Sequence, residues 1–289
     1  MKDVAPSPWP DQEAVMSPRK VTASLGFVVA GGRTILGPQY TPHPFHITRP
    51  FHLEGDPAGM ATLYLQSSSG GLYGDDDLTL NVAADAGSAV HLTTQAASVV
   101  NPARGGQTRQ TVRIDLGAGA LVEYLPDPVI LFDGADLSAR VEIRLGTGAV
   151  LILGDSALTH DPTGRGNPFI SFRNTIKIAD TSGVPLMTER MLVSGADWMI
   201  RTCGLPAHGV LVVAGAVDCG SVVSAVNAAF DEAKDSDRIY AACAAFPERG
   251  LVIARFLCAD GMTLNQTRDR VWSAIRLAMI GRAPPIRRK

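Results

Sequence analysis

Residues 78–94 read "LTLNVAADAGSAVHLTT": a strand, a small-residue turn at Gly87 and a second strand. The chain repeats this unit twice. Residues 112–126, "VRIDLGAGALVEYLP", turn at Gly119, and residues 141–155, "VEIRLGTGAVLILGD", turn at Gly148. Short strands around a glycine turn, recurring about every 30 residues, are what stacked β layers produce, each unit burying its apolar face only against its neighbours. Consecutive hairpins of an ordinary sandwich give the same pattern, so the spacing alone leaves both arrangements open.

Outward from the repeat, the period stays at two. "KVTASLGFVVAGGRTIL" predicts a hairpin turning at Gly31 and Gly32, and "HITRPFHL" and "MATLYLQ" predict further strands. After about residue 220 the period lengthens. "SVVSAVNAAFDEAKDSD" and "TLNQTRDRVWSAIRLAMI" each put apolar residues on one helical face, with Ser221 and Thr263 as expected caps. "RGLVIARFLC" between them predicts one more buried strand. The expectation is a mainly β protein: an elongated β-helix-like body of stacked short strands with two C-terminal α-helices. Residues 1–20, rich in proline and charge, read as a disordered tail, and residues 21–289 as one domain with its β body reaching to about residue 220.

Composition excludes several classes. The 289 residues are 46% hydrophobic, enough for a sizeable core, and the net charge of −2 is spread without a basic block except at the end, which argues against a nucleic-acid partner. Prolines and charges stand where a signal peptide needs an apolar run, and no later segment supplies about 18 uncharged apolar residues, so the expected location is cytoplasmic, with no membrane partner. Cys203, Cys219, Cys243 and Cys258 form no C-x-x-C pair and read as buried thiols, with Cys219 beside Asp218 a place where a thiolate could be stabilised. There is no G-x-S-x-G elbow, P-loop or H-E-x-x-H.

Residues 67–82, "SSSGGLYGDDDLTLNV", press three aspartates between a flexible turn and a strand. Asp75, Asp76 and Asp77 make either a hydrated acidic turn or a cation site; along an alternating strand they cannot all point inward. In "SAVHLTTQAAS", alternation sets His91, Thr93 and Gln95 opposite Val90, Leu92 and Thr94, a polar row that either finds partners on neighbouring strands or lines a hydrated channel. Glu123 and Asp133 sit beside apolar runs and are the expected interior carboxylates.

"LYLQSSSGGLYGDDDLTL", "GSAVHLTTQAASVV", "GALVEYLPDPVILFDGA" and "GRGNPFISFRNTIKI", in that order, resemble the successive blocks of the urease accessory proteins of the UreD (UreH) family, and "RVWSAIRLAMIGRAPPIRR" resembles the family's closing helix and tail. The resemblance implies a non-enzymatic maturation factor: a scaffold and nickel conduit that joins UreF, UreG and apo-urease and helps insert nickel into the urease active site. It implies transient nickel and no tightly bound cofactor. On that reading Asp76 (or Asp75), His91, Glu123 and Asp133 are the expected metal-path residues, Thr93, Thr94 and Gln95 line the channel, and Leu264, Arg268, Val271, Trp272 and Ile275 meet the helical partner, with Arg270 and Arg276 on its polar rim. A conduit suits several weak oxygen and nitrogen ligands in series. One departure stands out: Asn167 and Pro168 occupy the place of a glutamate expected from the resemblance, so either Asp161 or Asp155 takes its role or the chain is less efficient. The alternative reading is a β-helical carbohydrate-active enzyme with Asp75 and Asp77, or Glu123 and Asp127, as acid and base.

Overall fold

The computed structural model describes residues 19–161, 164–233 and 238–285. The expected tail lies outside these residues except for Arg19 and Lys20, which belong to the folded body. Strand β1 (Lys20–Ala30) turns at Gly31 and Gly32 into β2 (Arg33–Tyr40), an antiparallel hairpin as the sequence predicts. The next strands are β3 (Phe45–Ile47) and β4 (Ala61–Ser67). The longer strand expected through "HITRPFHL" shrinks to β3 and a single bridge from Phe51 to Thr62, since Pro50 has no N–H to continue a ladder.

The repeat then resolves the open choice in favour of stacked coils. Each unit places its first strand in one sheet and its second in another: β5 (Asp77–Ala84) then β6 (Ala89–Thr94), with a short β7 (Ser98–Val100); β8 (Thr108–Leu116) then β9 (Leu121–Leu125), with β10 (Val129–Leu131); β11 (Asp136–Leu145) then β12 (Val150–Thr159). Pairing is parallel from coil to coil. Leu80 lies opposite Val112 and Val112 opposite Val141 in the first sheet, while Val90 lies opposite Val122 and Val122 opposite Leu151 in the second. The repeated residues therefore stack on their own counterparts. Antiparallel pairs close the stack: β13 (Ser171–Asp180) with β14 (Pro185–Ser194), and β15 (Ala207–Gly215), β16 (Ile239–Phe246) and β17 (Leu251–Cys258). The sheets run β14-β13-β11-β8-β5-β1-β2 and β16-β17-β15-β12-β9-β6-β4-β3.

The turns explain the glycines. Gly87, Gly119 and Gly148 all have left-handed φ, of 71°, 65° and 70°. Gly117 and Gly146 are present for a different reason: a Cβ on Gly146 would stand 2.6 Å from the carbonyl carbon of Gly117, and one on Gly117 would stand 2.5 Å from the amide nitrogen of Ala86. Backbone rests directly on backbone there, tied by Gly117 N–H to Ala84 O at 2.7 Å and Gly146 N–H to Leu116 O at 2.8 Å.

Between the sheets Leu80, Val82, Val112, Ile114, Val141 and Ile143 face Val90, Leu92, Val122, Leu151 and Leu153. Each such side chain is worth about 1.5–3 kcal/mol when fully buried. The second sheet is buried on its outer side too, under α2 (Cys219–Asp231) and α3 (Gly261–Ile280). A seven-residue helix, α1 (Gly195–Arg201), which the sequence pattern did not predict, places Trp198 on Phe169 and Phe172 in a third cluster.

Both predicted caps move upstream. Asp218 caps α2, accepting from Gly220 N and Ser221 N, while the Ser221 hydroxyl donates to the other oxygen of Asp218 at 2.6 Å. Asp260 caps α3 through Thr263 N at 2.7 Å. A carboxylate is the better partner for the positive end of a helix than the hydroxyl expected there. Among the thiols, Cys203 is exposed and not buried as expected. Burial pushes the Cys219 thiol above its ordinary pKa, against the expected thiolate.

Candidate functional site

Two polar regions flank the second sheet, one on each side. On the outer side, adjacent strands β6 and β9 set His91 opposite Glu123, and Nδ1 of His91 lies 2.8 Å from Oε2 of Glu123. From above, Arg276 of α3 donates to both oxygens of Glu123, at 2.6 and 2.8 Å, and to Asp56 Oδ1 at 2.6 Å. Trp272 closes this network, stacked on His91 at 4.9 Å and lying 5.2 Å from the Arg276 guanidinium. Glu123 is 0% exposed. Burial pushes its carboxyl pKa up, but the hydrogen bonds from His91 and Arg276 outweigh that and hold it below the usual carboxylate range. About two turns before Arg276 on α3, Arg268 donates to Asp127 Oδ1 at 3.1 Å.

This arrangement revises several expectations. Leu264, Val271, Trp272 and Ile275 are buried against the chain's own second sheet, so the face expected to meet a partner is internal. Arg268 and Arg276 are buried ion-pair members and not a rim. The outer side of α3 instead shows Met262 and Leu277, 71% and 57% exposed. Asp76 is the one member of the acidic run that turns inward; it accepts from Arg19 Nε at 2.7 Å and from Tyr73 N at 2.8 Å. Asp75 is exposed. Asp133 accepts from Asn167 at 3.1 Å on the surface, and Thr93 donates to Leu125 O at 2.6 Å.

On the inner side lies a cavity of about 320 Å³ between the two sheets. Its mouth is formed by residues 66–71 and 95–98, and its walls include Thr94, Gln95, Gln110, Tyr124, Asp127 and Asp155. Of the expected channel residues, Thr94 and Gln95 reach it; Thr93 points to the other face, as alternation requires. Asp155 is the carboxylate that sequence reasoning weighed only as a substitute. The signal was present: Leu151 and Leu153 face the core, and the next residue in that inward series is Asp155. Burial raises its pKa to about 6; a hydrogen bond from Asn174 opposes this, and Glu189 adds to it.

The sign of the resulting pH effect follows directly. Between the ordinary value of 3.8 and about 6, the folded chain keeps a proton that the unfolded chain has lost. The stability this group supports is therefore full at low pH and declines as pH rises to the folded value. Asp155→Asn is expected to remove that decline: the melting temperature of the variant relative to the parent should rise as pH goes from the ordinary value of 3.8 to about 6, and level off above it. A difference that is the same at pH 4 as at pH 7 rejects the assignment.

Among the described residues no group of three His, Cys, Asp or Glu side chains is placed to hold a metal ion, and no helix is long and apolar enough to cross a membrane. Stacked parallel coils around an internal cavity, braced by helices on one side, define a β-solenoid protein. Residues 20–289 match the family model described as UreD urease accessory protein, and the chain belongs to that family. It is 38% identical to Urease accessory protein UreD 1 of Methylorubrum populi, covering 100% of this chain and 99% of that one. It is 35% identical to a protein of the same name from a Bradyrhizobium species, over 94% and 95% of the two chains, and 32% identical to one from Pseudomonas syringae pv. syringae, over 96% and 99%. Its role is thus that of an accessory protein in urease maturation.

Proposed function

We propose that the chain is a non-catalytic scaffold that assembles with UreF-type and UreG-type accessory proteins and apo-urease in the cytoplasm, and that its cavity passes nickel toward the urease active site. The cavity carries this reading. It offers hydroxyl, amide and carboxylate oxygens from Thr94, Gln95, Gln110 and Asp155. A borderline cation exchanges readily among such donors, and a converged set of imidazole or thiolate ligands would trap it. Asp76, His91, Glu123 and Asp133 are occupied by the structural partners described above, which moves the metal path from them to the cavity wall. The helical partner would meet the outer side of α3, at Met262 and Leu277. In the carbohydrate-enzyme alternative Glu123 would need access to a sugar, and α3 covers it.

The test pairs urease activation with pull-down. Asp155→Asn removes one weak ligand and is expected to lower the nickel content of urease about tenfold, the equivalent of about 1.4 kcal/mol, with the complex still assembling. Full nickel loading by this variant rejects the conduit, and loss of the complex in step with activity makes Asp155 structural.

A further inference from the structure

The outermost strand of a sheet leaves backbone groups unpaired, and proteins guard such edges against a further strand. Three of the four sheet edges here are guarded. β2 carries Arg33 and Pro38 and meets β1 through a register shift, β3 is three residues long, and β14 begins at Pro185 and carries Glu189 and Arg190. β16 has none of these devices. Its eight residues, "IYAACAAF", contain no charge and no proline, and they pair with β17 without a shift.

The direction of each backbone group on β16 follows from one bond. Ile239 lies opposite Cys258, and just before it Arg238 O accepts from Ala259 N–H at 2.9 Å. Successive pairs of an antiparallel ladder alternate between exchanging both bonds and exchanging none. Tyr240, Ala242, Ala244 and Phe246 therefore bond to β17, and Ala241, Cys243 and Ala245 turn N–H and C=O to the open side, where no described strand lies. The side chains of Ala241, Cys243 and Ala245 pack into the cluster beneath α2. Those of Tyr240, Ala242, Ala244 and Phe246 are exposed, Tyr240 by 72%.

Outward from Cys243 the strand reads alike in both directions: alanines at 242 and 244, alanines at 241 and 245, aromatic rings at 240 and 246. We propose that β16 pairs with β16 of a second copy of this chain, antiparallel about a two-fold axis at Cys243. That register sets Tyr240 opposite Phe246 at both ends and alanine opposite alanine between them. It joins Cys243 to its counterpart and Ala241 to Ala245, the residues whose backbone groups are open, for about six hydrogen bonds. The internal symmetry is what favours a second copy, since a strand of a different protein would gain nothing from it, and no charge meets its like across the axis. The cavity mouth belongs to the opposite end of the second sheet, by β4 and β6, so pairing leaves it open.

Light scattering after gel filtration of the full chain, whose monomer is 30.5 kDa, tests this. Edge pairing is at the small end of interfaces, so the parent is expected to pass from monomer to dimer at about 10–100 μM. Tyr240→Lys with Phe246→Lys sets like charges opposite each other at both ends of the ladder. Tyr240→Lys with Phe246→Glu sets opposite charges there, at positions about 20 Å apart within one strand. The second variant should dimerise about tenfold more tightly than the first, which only the register centred on Cys243 predicts. Both lose the same two rings, so a folding defect acts on them alike. Ala244→Lys, at an exposed position in the middle of the ladder, should weaken the dimer about tenfold and leave the melting temperature of the monomer unchanged. Equal association of the two double variants, or a parent still monomeric at about 500 μM, overturns the proposal. If the parent is monomeric and Ala244→Lys weakens its complex with the accessory proteins, the edge receives a strand of a different partner.

Discussion

Arg276→Ala is expected to destabilise the chain by about 3–5 kcal/mol, the cost of breaking a buried ion pair from one side. The size follows from what remains. Glu123 and Asp56 would stay buried under α3 with one cation removed from both, and His91 alone would face Glu123. A domain's whole margin is about 5–15 kcal/mol, so the variant should be found largely insoluble or melt far below the parent. Urea unfolding of the purified chain, alone or with its partner, measures this. The matched control is Arg276→Met with Glu123→Gln and Asp56→Asn, which removes the charges together and should recover most of the loss. A single-variant cost below about 1 kcal/mol would mean the network is hydrated and the α3 clamp is misassigned. The pH dependence has the opposite sign to that of Asp155: the lowered pKa of Glu123 supports stability above the ordinary value of 4.5, and that stability is lost as pH falls through the folded value.

Gly146→Ala should be nearly as damaging, through geometry alone. The added methyl would meet backbone atoms of Leu116, Gly117 and Ala118 at 2.6–2.8 Å, none of which can rotate aside. The two coils would have to separate, breaking the Gly146 N–H bond to Leu116 O and opening the cores between the sheets. Overpacking of this kind costs about 1–3 kcal/mol, and more where backbone must move. Two residues on, Gly148→Ala enters nearly open space, its nearest contact at 4.0 Å, and meets only the left-handed φ of 70°. That strain costs about 1–2 kcal/mol. Melting temperatures of the two variants, compared side by side, should place Gly146→Ala clearly lower; equal values would show that the turns do not rest on one another.

The repeat was legible because each coil must present the same apolar pair to identical neighbours, which forces Leu80, Val112 and Val141 into corresponding places. Which strands pair was not legible, because period two records which face is buried and not which strand lies alongside. The amphipathic stripe of α3 was visible as Leu264, Val271, Trp272 and Ile275, yet nothing local tells whether its cover is this chain or another. Arg268 and Arg276 were misjudged for the same reason: their carboxylates lie 141 and 153 or more residues away. Asp155 could have been ranked first by following the inward series Leu151, Leu153, Asp155. Asn174 could not, since its significance depends on two sheets meeting face to face.

The Arg276 to Asp56 bond spans 220 residues. Synthesis runs from the N-terminus, so the coils with His91 and Glu123 are complete long before α3 exists. Throughout that interval the nascent body presents the outer side of its second sheet, with Asp56, Glu123 and His91 uncovered among apolar residues, to whatever surrounds the ribosome. The last helix is therefore a late-arriving cover, and the period before it docks is when the chain is most exposed to aggregation and most dependent on company.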